Sequence, residues 1–225
     1  MSKKFVILLI GPARCGKTTF LKFLGANVGN GPTTTCSAYE VPSTSGNVFT
    51  VVDTPGLDSS PKTNLAVLKI IADKLSEMTK GELMVSGVIY FHCITDMRLT
   101  GTARTHIEIL SEICGKHFYP RIAFVTTMWN RIKAGDRTYE RLHGSLGQKY
   151  THIVRPHMLF RFSNDRKSAE AVLEHFNKPY TPVSRAELQL EVEVRQSGSG
   201  ASAVRKTKAG RRIDADLDKG FCVIL

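Results

Sequence analysis

Short uninterrupted apolar runs alternate along this chain with stretches whose apolar residues recur every three or four positions. Lys4–Ile10, Val48–Val52, Gly87–Ile94, Ile122–Thr127 and Met158–Phe162 read as strands, several of them too continuously apolar to have a solvated face. Between them, Thr63–Thr79, Thr102–Cys114, Arg137–Tyr150 and Ser168–Phe176 carry the helical period. Leu65, Leu68, Ile71, Ala72 and Leu75 fall on one face of the first of these. This alternation predicts an α/β fold with a mostly parallel central sheet and crossover helices. Gly25–Ser37 is polar and rich in Gly, Thr and Pro, and is expected to be a long loop. Glu187–Val194 alternates like a strand at Leu188, Leu190, Val192 and Val194, but its length and position favour a helix. From Gln196 a Ser-Gly-Ser-Gly run reads as a flexible linker. The expected organisation is one domain over residues 1–195 and a flexible basic tail over 196–225.

Composition narrows the class. The 225 residues are 42% hydrophobic and 23% charged, which excludes a disordered or fibrous chain and leaves room for one domain with a short extension. The longest apolar run, Phe5–Ile10, is far shorter than the roughly 20 residues of a spanning helix. Lys3 and Lys4 precede it as in a leader, yet the run falls short of the usual 7–15 apolar residues, so secretion is not expected. Five cysteines without CxxC spacing argue against a disulfide framework or a zinc knuckle. A net charge of +11 points to a polyanionic partner: nucleotide, nucleic acid or anionic lipid. No nucleic-acid recognition motif accompanies the charge, so that partner is not expected.

Gly11-Pro12-Ala13-Arg14-Cys15-Gly16-Lys17-Thr18, followed by Thr19, matches G-x-x-x-x-G-K-[ST] directly after a buried strand and before an amphipathic segment. That context turns the pattern into a phosphate-binding loop. Backbone N–H groups wrap the anion, Lys17 adds a point charge on the β- and γ-phosphates, and the Thr18 hydroxyl is a hard ligand for Mg²⁺. Asp53-Thr54-Pro55-Gly56 ends the next apolar strand, where Asp53 reaches the Mg²⁺ shell and the Gly56 N–H meets a γ-phosphate.

These motifs, with Thr33-Thr34-Thr35-Cys36, Asp53–Leu57, Gly87–Leu99 and Val125–Trp129, resemble the septin-like branch of GTPases, most closely the AIG1 (IMAP-type) proteins, and G-domain proteins abundant in fungi. The resemblance spans roughly residues 4–180. It implies a Ras-like G domain of the three-layer P-loop NTPase class, GTP or GDP with Mg²⁺, and nucleotide-dependent homodimers or oligomers. It puts the switch threonine that joins the metal on Thr33, with Thr35 next in line. The base-reading loop departs from the usual Asn/Thr-Lys-x-Asp pattern: Trp129 stands where Asp belongs and Asn130 follows. Asn130 is a candidate to face the base, with Thr127 beside it. Trp129 either stacks on the base or packs in the core. Ser163 and Asn164 fall where the base-backing loop runs.

Leu57 replaces a water-orienting Gln, so slow hydrolysis is expected unless a group arrives in trans. Arg98 lies near the position of an arginine that related immune-associated GTPases use across a dimer, and is the catalytic candidate beside Lys17. Arg14 is the second candidate, and both compete with a reading as surface charge. His92 reads as a packed residue rather than half of a catalytic Cys/His pair with Cys93. A nucleotide-bound scaffold without turnover and a P-loop ATPase remain the alternatives. Last, Cys222-Val-Ile-Leu225 fits a C-a-a-X box of the geranylgeranyl type. Arg205, Lys206, Lys208, Arg211 and Arg212 would supply the second membrane signal that one prenyl chain needs. The expected location is the cytoplasmic face of a membrane, with a cytosolic pool.

Overall fold

In β1 (Phe5–Ile10) successive side chains point to opposite faces of the sheet, so an apolar run with no polar break requires cover on both sides. The computed structural model supplies that cover and describes residues 5–58, 61–96, 101–133, 136–177 and 187–221. After α1 (Lys17–Phe23) come β2 (Ser37–Pro42), β3 (Val48–Asp53), α2 (Pro61–Lys80), β4 (Val85–Cys93), α3 (Gly101–Cys114) and β5 (Ile122–Thr127). Then follow α4 (Arg137–Lys149), β6 (Leu159–Arg161) and α5 (Arg166–Glu174). The sheet order is β2-β3-β1-β4-β5-β6. Every pairing is parallel except β2 with β3, which runs antiparallel.

Val6, Leu8 and Ile10 face a core with α2 and α3, through Leu68, Ile71, Leu110 and Ile113. Ile7 and Leu9 face the other, with Phe20 and Leu21 of α1 and Val172 and Leu173 of α5. These are the three layers the sequence predicts, with a mostly parallel sheet. The strand β2 was not foreseen. Of its six residues only Val41 is buried, because β2 is an edge strand that shares one ladder, and Ser37, Tyr39 and Glu40 give no apolar signal.

The expectation of a flexible segment from Gln196 does not match the described residues. Three helices follow: α6 (Gln189–Ser197), α7 (Ala201–Lys206) and α8 (Lys208–Phe221), and they pack against α2 and α3. The helical reading of Glu187–Val194 agrees with α6. Leu190, Val194, Val204, Ala209 and Ile213 are buried in the core beneath α2 and α3. The Ser-Gly run provides a turn between α6 and α7, where Gly198 sits at φ 85°, a left-handed conformation that suits glycine. A Cβ on Gly210 would lie 2.1 Å from the Val204 carbonyl oxygen, so the α7–α8 corner closes only on glycine. Arg212 pairs with Glu108 of α3 and, at 2.8 Å, with Asp216, while Arg205 pairs with Asp214 at 2.7 Å. The basic residues of this segment are thus partly consumed by the fold. Arg98 and Cys222 lie outside the described residues.

A docked helix and a flexible tail differ in what truncation costs. Ile213→Ala should destabilise the protein by about 2–5 kcal/mol in denaturant unfolding, the usual cost of emptying a core site. An unchanged midpoint and slope would mean that α8 contributes nothing to the folded state.

Candidate functional site

The C-terminal ends of β1 and β3 place two loops side by side. After β1, Gly11 (φ 154°), Arg14 (φ 60°) and Gly16 (φ 96°) turn the backbone around a hollow before α1 begins at Lys17. The Lys17 ammonium is buried and donates to the carbonyls of Gly11 at 3.2 Å and Pro12 at 3.0 Å, which fixes its head at the mouth of the loop. After β3, Asp53–Leu57 runs directly against this loop. Leu57 N–H donates to Gly11 O, and Ala13 N–H donates to Leu57 O at 2.8 Å. A Cβ on Gly56 would lie 2.3 Å from Ala13 Cα, so no other residue fits there without moving the backbone.

The three side chains expected at a metal converge. Asp53 Oδ2 accepts from Thr18 Oγ1 at 2.9 Å and from Thr33 Oγ1 at 3.0 Å, and the two hydroxyls are 3.2 Å apart. Thr33 is half-buried while Thr34 and Thr35 are exposed, which selects Thr33 among the threonines of that loop. Asp53 Oδ1 is buried without a hydrogen-bond partner. A carboxylate with an orphaned oxygen beside two hydroxyls is the hard-oxygen set that suits Mg²⁺, which keeps waters and phosphate oxygens in its remaining positions. No group of three or more His, Cys, Asp or Glu side chains could hold a metal ion among the described residues.

A cleft of about 420 Å³ opens beside these groups, lined by residues 13–19, by Gly31–Thr33, and by Gly56 and Met128. Met128 was not anticipated. It follows β5 at φ 65° and lines the wall of the cleft. Trp129 does not face this cleft. Its indole N–H donates to Thr126 Oγ1 at 3.0 Å, and the Arg161 guanidinium covers its ring at 3.9 Å. His143 meets its edge. Of its two open readings, packing holds, because a buried indole needs an acceptor for its N–H and Thr126 provides one. Thr127 is also buried. Its hydroxyl donates to Cys15 O at 2.8 Å, tying the end of β5 to the phosphate loop rather than reaching into the cleft.

Asn130 is exposed just beyond, and Ser163 and Asn164 follow β6. The Phe162 N–H donates to Thr126 O, which brings that last loop beside the end of β5. None of Asn130, Ser163 and Asn164 lines the cleft. Burial pushes the Cys36 thiol up to about 12 and raises that of Cys15 as well, so neither is poised as a nucleophile. Cys93 bonds to Thr95, and His92 is buried beside it without forming a pair.

Sequence reading also missed His106. It lies on the buried face of α3, where a helical period hides any special role. Its Nε2–H donates to Asp58 O at 2.7 Å, while Asn64 brackets the Asp58 backbone at N–H and C=O. The segment after Leu57 is thereby held to α2 and α3.

No family model and no curated protein matches the chain. Solved structures do. Toc33 from Arabidopsis thaliana in complex with GDP and Mg²⁺ superposes with a TM-score of 0.54 at 15% identity, over 95% of this chain and 85% of that one. The same protein with Mg²⁺ and GMPPNP gives 0.52 at 14%, over 83% and 87%. A bacterial selenocysteine-specific elongation factor gives 0.51 at 14%, over 78% of this chain, which spans 28% of that larger protein.

Burial holds His92, His106 and His143 below the ordinary imidazole value, with Asp58 and Asp96 opposing the effect at His106. A depressed value means that the unfolded chain binds protons the folded one refuses. Stability should therefore be full above about pH 6.5 and fall on acidification below it. His106→Gln should flatten part of that slope in pH-dependent thermal unfolding, and an unchanged slope would show that His106 does not titrate on unfolding. The sheet order, the phosphate loop and these likenesses together give the chain the fold of a P-loop GTPase G domain.

Proposed function

We propose that the chain binds GTP or GDP with Mg²⁺ in the cleft beside Gly11–Thr19 and hydrolyses GTP slowly. The observation that carries this reading is the meeting of Thr18, Thr33 and Asp53 around one carboxylate oxygen at the cleft wall. Backbone N–H groups of the loop would hold the phosphates, with Lys17 as the point charge and Gly56 at the γ-phosphate. Thr18, Thr33 and Asp53 would hold Mg²⁺, which supplies charge neutralisation between the β- and γ-phosphates when bound. Met128 would pack beside the base, with Asn130, Ser163 and Asn164 as the polar groups nearest its edge. Guanine over adenine is supported by the Toc33 structures, whose ligands are GDP and GMPPNP.

Leu57 favours slow turnover and gives weight to a second reading, a nucleotide-bound scaffold. Its side chain is buried in the core, and its backbone pairs with Pro12, so no polar group stands there to orient water. One Toc33 structure is that of a dimerisation-deficient mutant, which supports a homodimer in this second reading. Among the described residues no helix is long and apolar enough to cross a membrane. With Leu225 as carboxy-terminal residue, geranylgeranylation of Cys222 would place the protein at a cytoplasmic membrane face. Exposed Lys206, Lys208 and Arg211 would then add the electrostatic signal.

Lys17→Ala should weaken GDP binding about ten- to a hundredfold, since a charge-assisted bond is worth about 1.5–3 kcal/mol and each 1.4 kcal/mol is tenfold. Thr18→Ala should instead lose most of the Mg²⁺ dependence. Equal affinities by fluorescence titration of labelled GDP, in variants that keep the wild-type circular dichroism, would remove the site. Cys222→Ser should shift the protein from membrane to cytosol in eukaryotic cells, and an unmodified terminus by mass spectrometry would remove the anchor.

A further inference from the structure

We infer that Arg14 is a catalytic residue acting within its own chain, its guanidinium stabilising the charge that develops on the β–γ oxygens during GTP hydrolysis. This rests on the nucleotide reading above and goes beyond it by naming where the stabilising charge comes from.

Arg14 stands in the middle of the phosphate loop in the left-handed region, at φ 60°. The loop needs that backbone turn, but glycine or asparagine would adopt it with less strain than arginine. A long side chain at such a position is explained when its head group makes an interaction that offsets the strain. The protein provides none: among the described residues the Arg14 guanidinium makes no hydrogen bond, ion pair or ring contact, and the side chain is exposed. Nearby cations are differently occupied. Lys17 donates to the Gly11 and Pro12 carbonyls, and Lys22 donates to Asn30 at 2.8 Å. Arg14 lines the same cleft as Lys17, Thr18 and Gly56, three residues ahead of the lysine, and so overhangs the space assigned to the phosphates.

The chemistry leaves a vacancy for it. Hydrolysis forms a bond from a water oxygen to the γ-phosphorus and breaks the bond to the β–γ bridging oxygen. The electron pair leaves on GDP, and the water protons pass to phosphate oxygens and solvent. Negative charge therefore grows on the bridging and β oxygens, where a planar cation with several N–H donors is worth most. Leu57 cannot assist, being apolar and buried against the loop.

The test compares wild type with Arg14→Ala, Arg14→Lys and Arg14→Gly, using full-length protein and single-turnover hydrolysis of GTP. All three variants should still saturate with GDP and GTP, so that turnover is compared at full occupancy. Arg14→Ala and Arg14→Gly should hydrolyse about thirtyfold or more slowly, the gap between phosphate-loop GTPases with and without an arginine in cis. Arg14→Lys should recover only a small part, because an ammonium lacks the fork. Wild type should capture GDP with aluminium fluoride and Arg14→Ala should not. The wild-type rate per molecule should stay flat across a hundredfold dilution. Arg14→Gly relieves backbone strain and should be at least as stable as wild type, so its slow turnover could not be ascribed to misfolding. Wild-type rates in Arg14→Ala, or a rate that rises with protein concentration and survives the substitution, would overturn the inference while leaving nucleotide binding intact. Failure of the wild type to bind GTP would instead sink the reading on which it rests.

Discussion

A single carboxylate oxygen, Asp53 Oδ2, gathers hydroxyls from two segments far apart in sequence, Thr18 at the start of α1 and Thr33 in the following loop. Asp53 is placed there because β3 lies beside β1 in parallel register, so the ends of both strands open at the same edge of the sheet. Without that adjacency the phosphate loop and the Asp53–Leu57 segment would not share backbone hydrogen bonds, and the loop after α1 would have nothing to close on. Burying an unpartnered carboxylate oxygen is costly. In the proposed reading, the orphaned Asp53 Oδ1 is an oxygen that a bound Mg²⁺ and its waters would satisfy.

From this edge the coupling runs outward by contact. Gly56 presses on Ala13, Leu57 exchanges hydrogen bonds with Gly11 and Ala13, and the Asp58 backbone is held by Asn64 and His106. The helices α6–α8 then pack on α2 and α3, the same two elements that hold Asp58. The C-terminal segment is accordingly built onto the face that begins at the phosphate site. The opposite face, with α1 and α5, is a separate apolar layer.

Much of this was legible in the sequence because its signals are local. Five strands and four helices follow from apolar runs and helical periods, and the phosphate loop and Asp53 follow from spacing. What was not legible depends on tertiary packing. Edge strand β2 buries only Val41 and so carries no periodic signature. The Ser-Gly run after α6 looks like a linker, yet it is a tight turn whose flanking helices meet the core through Val204, Ala209 and Ile213. Trp129 pointed two ways until Thr126 and Arg161 were seen to claim its N–H and its face. Met128 and His106 lack any motif, and only their neighbours give them a role.

The central claim is that one cleft binds a guanine nucleotide through a loop-and-Mg²⁺ arrangement. It is tested most directly by titrating the wild-type protein with labelled GDP, with and without Mg²⁺, and competing with unlabelled GTP and ATP. The account predicts saturable 1:1 binding, tightened by Mg²⁺ and displaced by GTP but not by equal ATP. Absence of binding, or displacement by ATP as readily as by GTP, would contradict it.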